Sequence, residues 1–169
     1  MRYLVCSLIG VVLFHLMACD STPKKPKSSF TKTVKLIEYG IPITLTAPED
    51  AAVKDRSDNL MQDVLIEGDH YYVQIYGTSA TNPDCKTLAQ DALTDYKTTD
   101  GTFKKIVRQD DCGFVYAVQT ERDTNTYYNF DYYSVKGNKT YRFTTTSGPL
   151  VDLNQQQVEA IYEAVKAQE

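Results

Sequence analysis

Residues 126–145 read TYYNFDYYSVKGNKTYRFTT, and the fold turns on this stretch. Two runs rich in aromatic and β-branched residues, 126–135 and 140–145, flank Gly137-Asn138, a pair suited to a tight turn between antiparallel strands. Upstream, residues 103–109 and 114–121 have the same strand character. Asp111-Cys112-Gly113 separates those two, and Asp123-Thr124-Asn125 leads into the aromatic run. Four consecutive strands with short turns predict an antiparallel meander. Ahead of it, Cys85, Leu88, Ala89, Ala92, Leu93 and Tyr96 recur at the spacing of one helix face, which predicts a helix over about 83–98. Asn82 would cap that helix, with Pro83 at its first position. Earlier still, residues 64–67 and 71–76 flank Gly68-Asp69 and predict a hairpin, while 33–38 and 41–47 read as extended segments around Gly40 and Pro42. After the meander, Asp152 with Gln155 three residues on predicts a second capped helix, its inner face Val158, Ile161, Tyr162 and Val165.

The order is hairpin, helix, four-stranded meander, helix: an α+β chain with an antiparallel sheet and helices packed on it. Its 169 residues suit one such domain, and 42% hydrophobic residues suffice for a core. A net charge of −4 argues against a nucleic-acid partner, which needs a basic face. Only two histidines leave little material for imidazole catalysis or metal sites.

The N-terminus has a different character. Met1-Arg2-Tyr3 precedes a run from Leu4 to Ala18 that is apolar except for Ser7 and His15, and Cys19 ends it. The run is short of the ~20 residues of a membrane-spanning helix and has the form of a secretory signal. Leu16-Met17-Ala18-Cys19 resembles the lipobox of bacterial lipoproteins. That resemblance implies removal of residues 1–18, a diacylglycerol on the Cys19 thiol, and acylation of the new amine; two or more acyl chains hold a protein stably on a membrane. The alternatives are an ordinary cleaved signal with a free Cys19, or an uncleaved anchor. Asp20 after the acylated Cys implies, in enteric-type bacteria, retention at the inner membrane. The expected location is the bacterial cell envelope, facing the periplasm or the exterior. Residues 19–33 then read as a tether: 20–33 carry four Lys and one Asp, with two Pro and several Ser and Thr. As a coil these span roughly 20 Å. Residues 34–169 form the single domain and hold 13 basic against 21 acidic groups, so a +3 tether adjoins a −8 domain. The lysines either approach anionic headgroups or simply keep the tether extended, and the second reading is the simpler.

The element order over about 60–169 resembles the antiparallel α/β/α sandwich of the photosystem protein PsbP, the Ran-binding protein Mog and DcrB-type lipoproteins. A cystatin-like α+β roll is the other arrangement that fits. The sandwich resemblance implies a protein that binds or supports other macromolecules, and it carries over no site residue.

Thirteen tyrosines invite a binding face, since exposed aromatic ladders stack on sugars or bases. Period 2 places Tyr128, Phe130 and Tyr132 on one face of their strand and Tyr127 and Tyr133 on the other. Phe114, Tyr116, Val118, Tyr141 and Phe143 would join the first set in one apolar face, making most tyrosines core. Tyr72, Tyr76, Tyr127 and Tyr133 are the remaining candidates for ligand contact.

Once Cys6 departs with the signal and Cys19 is acylated, Cys85 and Cys112 are left as a pair. A helix from 83 to about 98 advances roughly 22 Å, and the following strand can return the same distance. Cys112 would thus land near the first helical turn, which predicts a structural disulfide. A redox-active couple is the alternative, but there is no Cys-x-x-Cys.

No phosphate loop, zinc-ligand spacing or nucleophile elbow occurs, so no cofactor and no metal are expected. His70 reads as an exposed turn residue. Glu121-x-Asp123-x-Asn125 could begin a calcium loop but lacks its glycine and distal Glu. Asn138-Lys139-Thr140 matches a glycan acceptor yet sits in a hairpin turn of a chain with a bacterial signal. The expectation is a membrane-anchored, non-catalytic binding or accessory module for an envelope protein or small ligand. The alternative is an envelope hydrolase using paired carboxylates on polysaccharide.

Overall fold

Alternating apolar side chains on both sides of the meander strands require cover on both faces of a sheet, and the chain supplies one helix for each. The computed structural model describes residues 30–81, 83–119, 124–147 and 151–168. In chain order it contains β1 (Lys32–Lys35), a 3-10 turn (Leu36–Tyr39), β2 (Thr44–Ala47), β3 (Ala52–Asp55), β4 (Gln62–Gly68), β5 (Tyr71–Ser79), α1 (Cys85–Thr99), β6 (Phe103–Asp110), β7 (Gly113–Val118), β8 (Tyr127–Lys136), β9 (Lys139–Thr145) and α2 (Gln155–Lys166). β1 and β2 form a ribbon of their own; the other strands form one sheet in the order β3-β4-β5-β9-β8-β7-β6, each neighbour antiparallel. The chain is therefore α+β, with hairpin, helix, meander and helix in the expected order. The last meander strand, β9, lies between β8 and β5 and so joins the two halves of the sheet.

Register decides which side chains share a face. Phe114 pairs with Asp131, Tyr116 with Asn129 and Val118 with Tyr127. Phe114, Tyr116 and Val118 consequently lie with Tyr127 and Tyr133, not with Tyr128, Phe130 and Tyr132. This corrects the single apolar face read from the sequence, because a one-residue change in pairing moves a whole strand to the opposite side. Two cores result. On one face Leu93 of α1 packs with Phe114, Tyr116 and Val118, bordered by Tyr96, Phe103, Ile106 and Tyr127. On the other, Val158, Ile161, Tyr162 and Val165 of α2 pack with Val115, Phe130 and Phe143, the β1–β2 ribbon adds Val34 and Leu45, and the 3-10 turn adds Leu36. All four inner-face residues of α2 are fully buried, as their spacing predicts, and burial of each contributes roughly 1.5–3 kcal/mol.

Several boundaries differ from expectation for local reasons. α1 is capped by Asp84, whose Oδ2 accepts from the Thr87 backbone at 2.9 Å and hydroxyl at 2.7 Å; Asn82 lies outside the described residues. α2 starts after Asn154, which forms a reciprocal capping box with Gln157, two residues beyond the expected pair. Leu153 is buried in the extended lead-in, so the helix begins only after it. The β4–β5 turn falls on Asp69-His70, where His70 takes a φ of 51°, and Asp50 fixes it by accepting the Asp69 N–H at 2.7 Å. A 3-10 turn closed by Gly40, at φ 74°, replaces the end of the first expected extended segment. β3, a four-residue edge strand, was not foreseen. β1 takes in Lys32 and Thr33, assigned from sequence to the tether, and Phe30 already packs edge-on against Tyr71 at 5.0 Å. Residues 1–29, with the expected signal, Cys19 and Asp20, lie outside the described part.

Gly113 opens β7 where three groups converge. A Cβ there would stand 2.6 Å from the Asp131 carbonyl oxygen, 2.8 Å from the Tyr162 hydroxyl and 2.9 Å from Tyr132. Gly113→Ala should therefore destabilise by about 2 kcal/mol, read as a lowered urea midpoint. An unchanged midpoint would show that β7 and β8 can separate at no cost.

A candidate ligand groove on the sheet

α1 makes its main sheet contacts with β8 and β7, so the same face of β5 and β9 lies at its margin. Cross-strand pairing sets Tyr76 of β5 opposite Arg142 of β9, and Arg142 opposite Tyr133 of β8. A Tyr–Arg–Tyr row thus crosses three strands and ends on Tyr133, at the border of the area that α1 covers. One row along, Thr78 pairs with Thr140, and their hydroxyls share a hydrogen bond at 2.9 Å. Leu88 from α1 and Met61 from the segment before β4 complete a groove of about 390 Å³ over these side chains.

Beneath it lies a buried ion pair. Asp131 has no exposed surface, and Arg142 Nε donates to its Oδ1 at 2.6 Å. Arg142 Nη2 donates to the Tyr96 hydroxyl at 3.0 Å, which ties α1 to the sheet. Burial works against the charged guanidinium, but the hydrogen bond and charge of Asp131 outweigh it and hold the Arg142 pKa above the ordinary value. Burial pushes the Asp131 carboxyl up, against the pull of Arg142. The Tyr133 and Tyr76 hydroxyls are likewise pushed up, first by burial and then by Asp131 and Asp63 respectively. All the groove tyrosines are therefore neutral at ordinary pH.

Of the four tyrosines singled out from sequence, the structure brings Tyr76 and Tyr133 together here. Tyr133 shows only 8% of its surface and offers a wall rather than an open platform. Tyr127 is packed against the α1 core, paired with Val118, and Tyr72 lines a different cleft. Arg142 and Asp131 escaped the sequence reading, and Tyr96 entered it only as part of a helix face. The available signal was a single acid and a single base set among aromatics, Asp131 in YYNFDYY and Arg142 in TYRFT. Only the register shows that they meet.

Cys85 and Cys112 stand at disulfide-bonding distance with Cα atoms 5.0 Å apart, joining the first turn of α1 to the β6–β7 turn. A second cleft, about 570 Å³, lies at the β4–β5 turn and is lined by Asp50, Glu67, His70, Tyr72 and Asp152, among others. Its acids already have partners in part: Asp50 holds the turn, and Glu67 is ion-paired with Lys54. Turn acids elsewhere are also paired, Asp110 with Arg108 and Lys166, and Asp111 with Lys86 at 3.6 Å. Glu121 and Asp123 of the calcium-like pattern lie outside the described residues. Among the described residues no group of three or more His, Cys, Asp or Glu could hold a metal, and no helix is long and apolar enough to cross a membrane. No family model, curated protein or solved structure matches the chain.

Proposed function

We propose that the chain is a lipid-anchored, non-catalytic binding module of the bacterial envelope, held through Cys19 and presenting the Tyr76–Arg142–Tyr133 groove to an envelope protein or small ligand. The observation that carries this reading is the groove itself, a concave, largely apolar site with one fixed charged group, which is the usual form of a binding pocket. The lipobox at Leu16-Met17-Ala18-Cys19 supports the anchor, and Asp20 favours the inner membrane in an enteric-type cell. The placement of the chain entry supports the orientation. Phe30 docks at Tyr71, the first residue of β5, whereas the groove uses Tyr76 and Thr78, roughly 17–24 Å further along that strand at ~3.4 Å per residue. A membrane tether would thus leave from one end of the sheet with the groove toward the other. The helix on each face, together with the order of elements, supports kinship with the PsbP/Mog-like sandwich.

Capture from detergent-solubilised membranes tests the proposal. The full chain should recover a reproducible partner or ligand, Tyr76→Ala should lose it, and Cys19→Ser should move the protein to the soluble fraction. A monomer that recovers nothing, or a Cys19→Ser protein that stays with the membrane, removes the reading. The hydrolase alternative draws its support from the acid-lined cleft at Asp50, Glu67 and Asp152. It requires release of reducing sugar from cell-wall polysaccharide that Glu67→Gln abolishes.

A further inference from the structure

The groove has charge of one sign. Arg142 is the one charged residue among the described residues that line it; the others are two tyrosines, two threonines, Leu88 and Met61. A guanidinium has five N–H donors in a rigid fork. Two directions are taken, Nε toward Asp131 and Nη2 toward Tyr96, and Nη1 has no hydrogen-bond partner among the described residues. Asp131 is wholly buried, whereas the Arg142 side chain is 38% exposed. The pair is therefore a dipole with its negative end sealed in the sheet and its positive end open to the groove. A group entering from solvent meets the guanidinium first and cannot reach the carboxylate.

The surroundings define the rest of the ligand. Tyr76 and Tyr133 stand on either side of Arg142 in one cross-strand row, and both line the groove. Leu88 and Met61 add apolar surface, and 390 Å³ falls within the ~300–1,000 Å³ of small-molecule sites. Arginine binds carboxylate and phosphate oxygens through paired N–H donors, and such bonds are stronger than neutral ones. We infer that the groove takes a small molecule with one anionic head, a carboxylate or a phosphate monoester, seated on the Nη1 edge of Arg142, and with an aromatic or aliphatic body between Tyr76 and Tyr133. This rests on the reading of the groove as the binding site. An amine would be repelled by the guanidinium, and Asp63, the acid paired with Tyr76 across β4 and β5, already accepts from Gln74 Nε2.

Four probes that share a benzyl body test the head group: phenylacetate, benzyl phosphate, benzylamine and benzyl alcohol, titrated by calorimetry into the full chain in detergent. At least one anion should bind about tenfold or more tighter than the amine and the alcohol. The stronger of phenylacetate and benzyl phosphate identifies the head. Tyr76→Ala should weaken that binding, and Leu88→Glu, which leaves the ion pair untouched, should weaken the anions more than the amine and the alcohol. Arg142→Gln strands the Asp131 carboxyl, so the Asp131→Asn/Arg142→Gln double variant is the better probe of the pair, and it should lose the preference for anions. Amine or alcohol binding as tightly as the anions overturns the inference but leaves the groove standing as a site. Absence of binding by every probe at millimolar concentration overturns it as well. The groove reading falls on a separate result, partner capture that Tyr76→Ala leaves intact.

Discussion

Arg142→Met should lower the unfolding free energy by about 3 kcal/mol, the cost of leaving a buried carboxylate without its cation. Asp131 is fully buried, and the Arg142 Nε bond at 2.6 Å is its shortest contact with a charge. Its second oxygen has no hydrogen-bond partner in good geometry, and the groups beside it that could take over from the guanidinium are the neutral hydroxyls of Tyr96 and Thr144. The estimate sits at the low end of the range because Arg142 is itself 38% exposed and part of its attraction is already screened. The reverse change should be milder. Asp131→Asn leaves a guanidinium that can turn toward water, at a cost of roughly 1–2 kcal/mol. The double variant Asp131→Asn/Arg142→Met should then be more stable than the sum of the single losses, since neither charge is stranded. Acid provides a second reading of the same asymmetry. Burial already pushes the Asp131 carboxyl up, and removal of Arg142 pushes it further. A carboxyl with a raised folded pKa contributes stability below its unfolded value that is lost as pH rises. The Arg142→Met deficit should be largest near neutrality and shrink toward pH ~4. Urea unfolding of the three variants at two pH values measures both effects. Equal, additive and pH-independent losses would mean that the pair is not coupled.

That pair also marks the limit of what the sequence discloses. Helix faces are legible because their partners lie within one element. The Cys85–Tyr96 stripe and the Val158–Val165 face follow from spacing alone, and both are the sides that the helices bury. The proximity of Cys85 and Cys112 follows from two element lengths and one reversal. Relations between strands are different in kind. Phe114 was placed with Phe130 because each strand alternates by itself, but the pairing of Phe114 with Asp131 sets them on opposite faces. The insertion of β9 beside β5, which sets Arg142 between Tyr76 and Tyr133, depends on pairings more than sixty residues apart that no local pattern encodes. Caps failed for a smaller reason. Asp152/Gln155 and Asn154/Gln157 offer the same spacing, and the choice between them fell to burial of Leu153.

Replacing both Cys85 and Cys112 by Ser should lower stability by roughly 3.5 kcal/mol, the chain-entropy value for closing a loop of 27 residues. The effect should be concentrated in α1. That helix buries only Ala89 and Leu93, whereas α2 buries five residues. With less apolar contact to hold it, α1 depends more on its ties: the Asp84 cap, the Tyr96 hydroxyl on Arg142, and the link from Cys85 to Cys112. The far end of that link is itself fixed, because the Cys112 carbonyl accepts from the Tyr133 N–H at 2.8 Å and so continues the pairing of β7 with β8. A bridge between these two cysteines would thus fasten the first turn of α1 to the strand that supplies Tyr133 to the groove. Without it, amides of α1 should exchange with solvent faster than those of α2, and Leu88, one turn from Cys85, should lose its fixed place on the groove wall. Reductant should lower the wild-type urea midpoint to that of the double Ser variant and leave the variant unchanged. Two thiols that titrate freely before any reductant is added would show that no bridge forms, and the stability assigned to it would then have to come from packing of α1 alone.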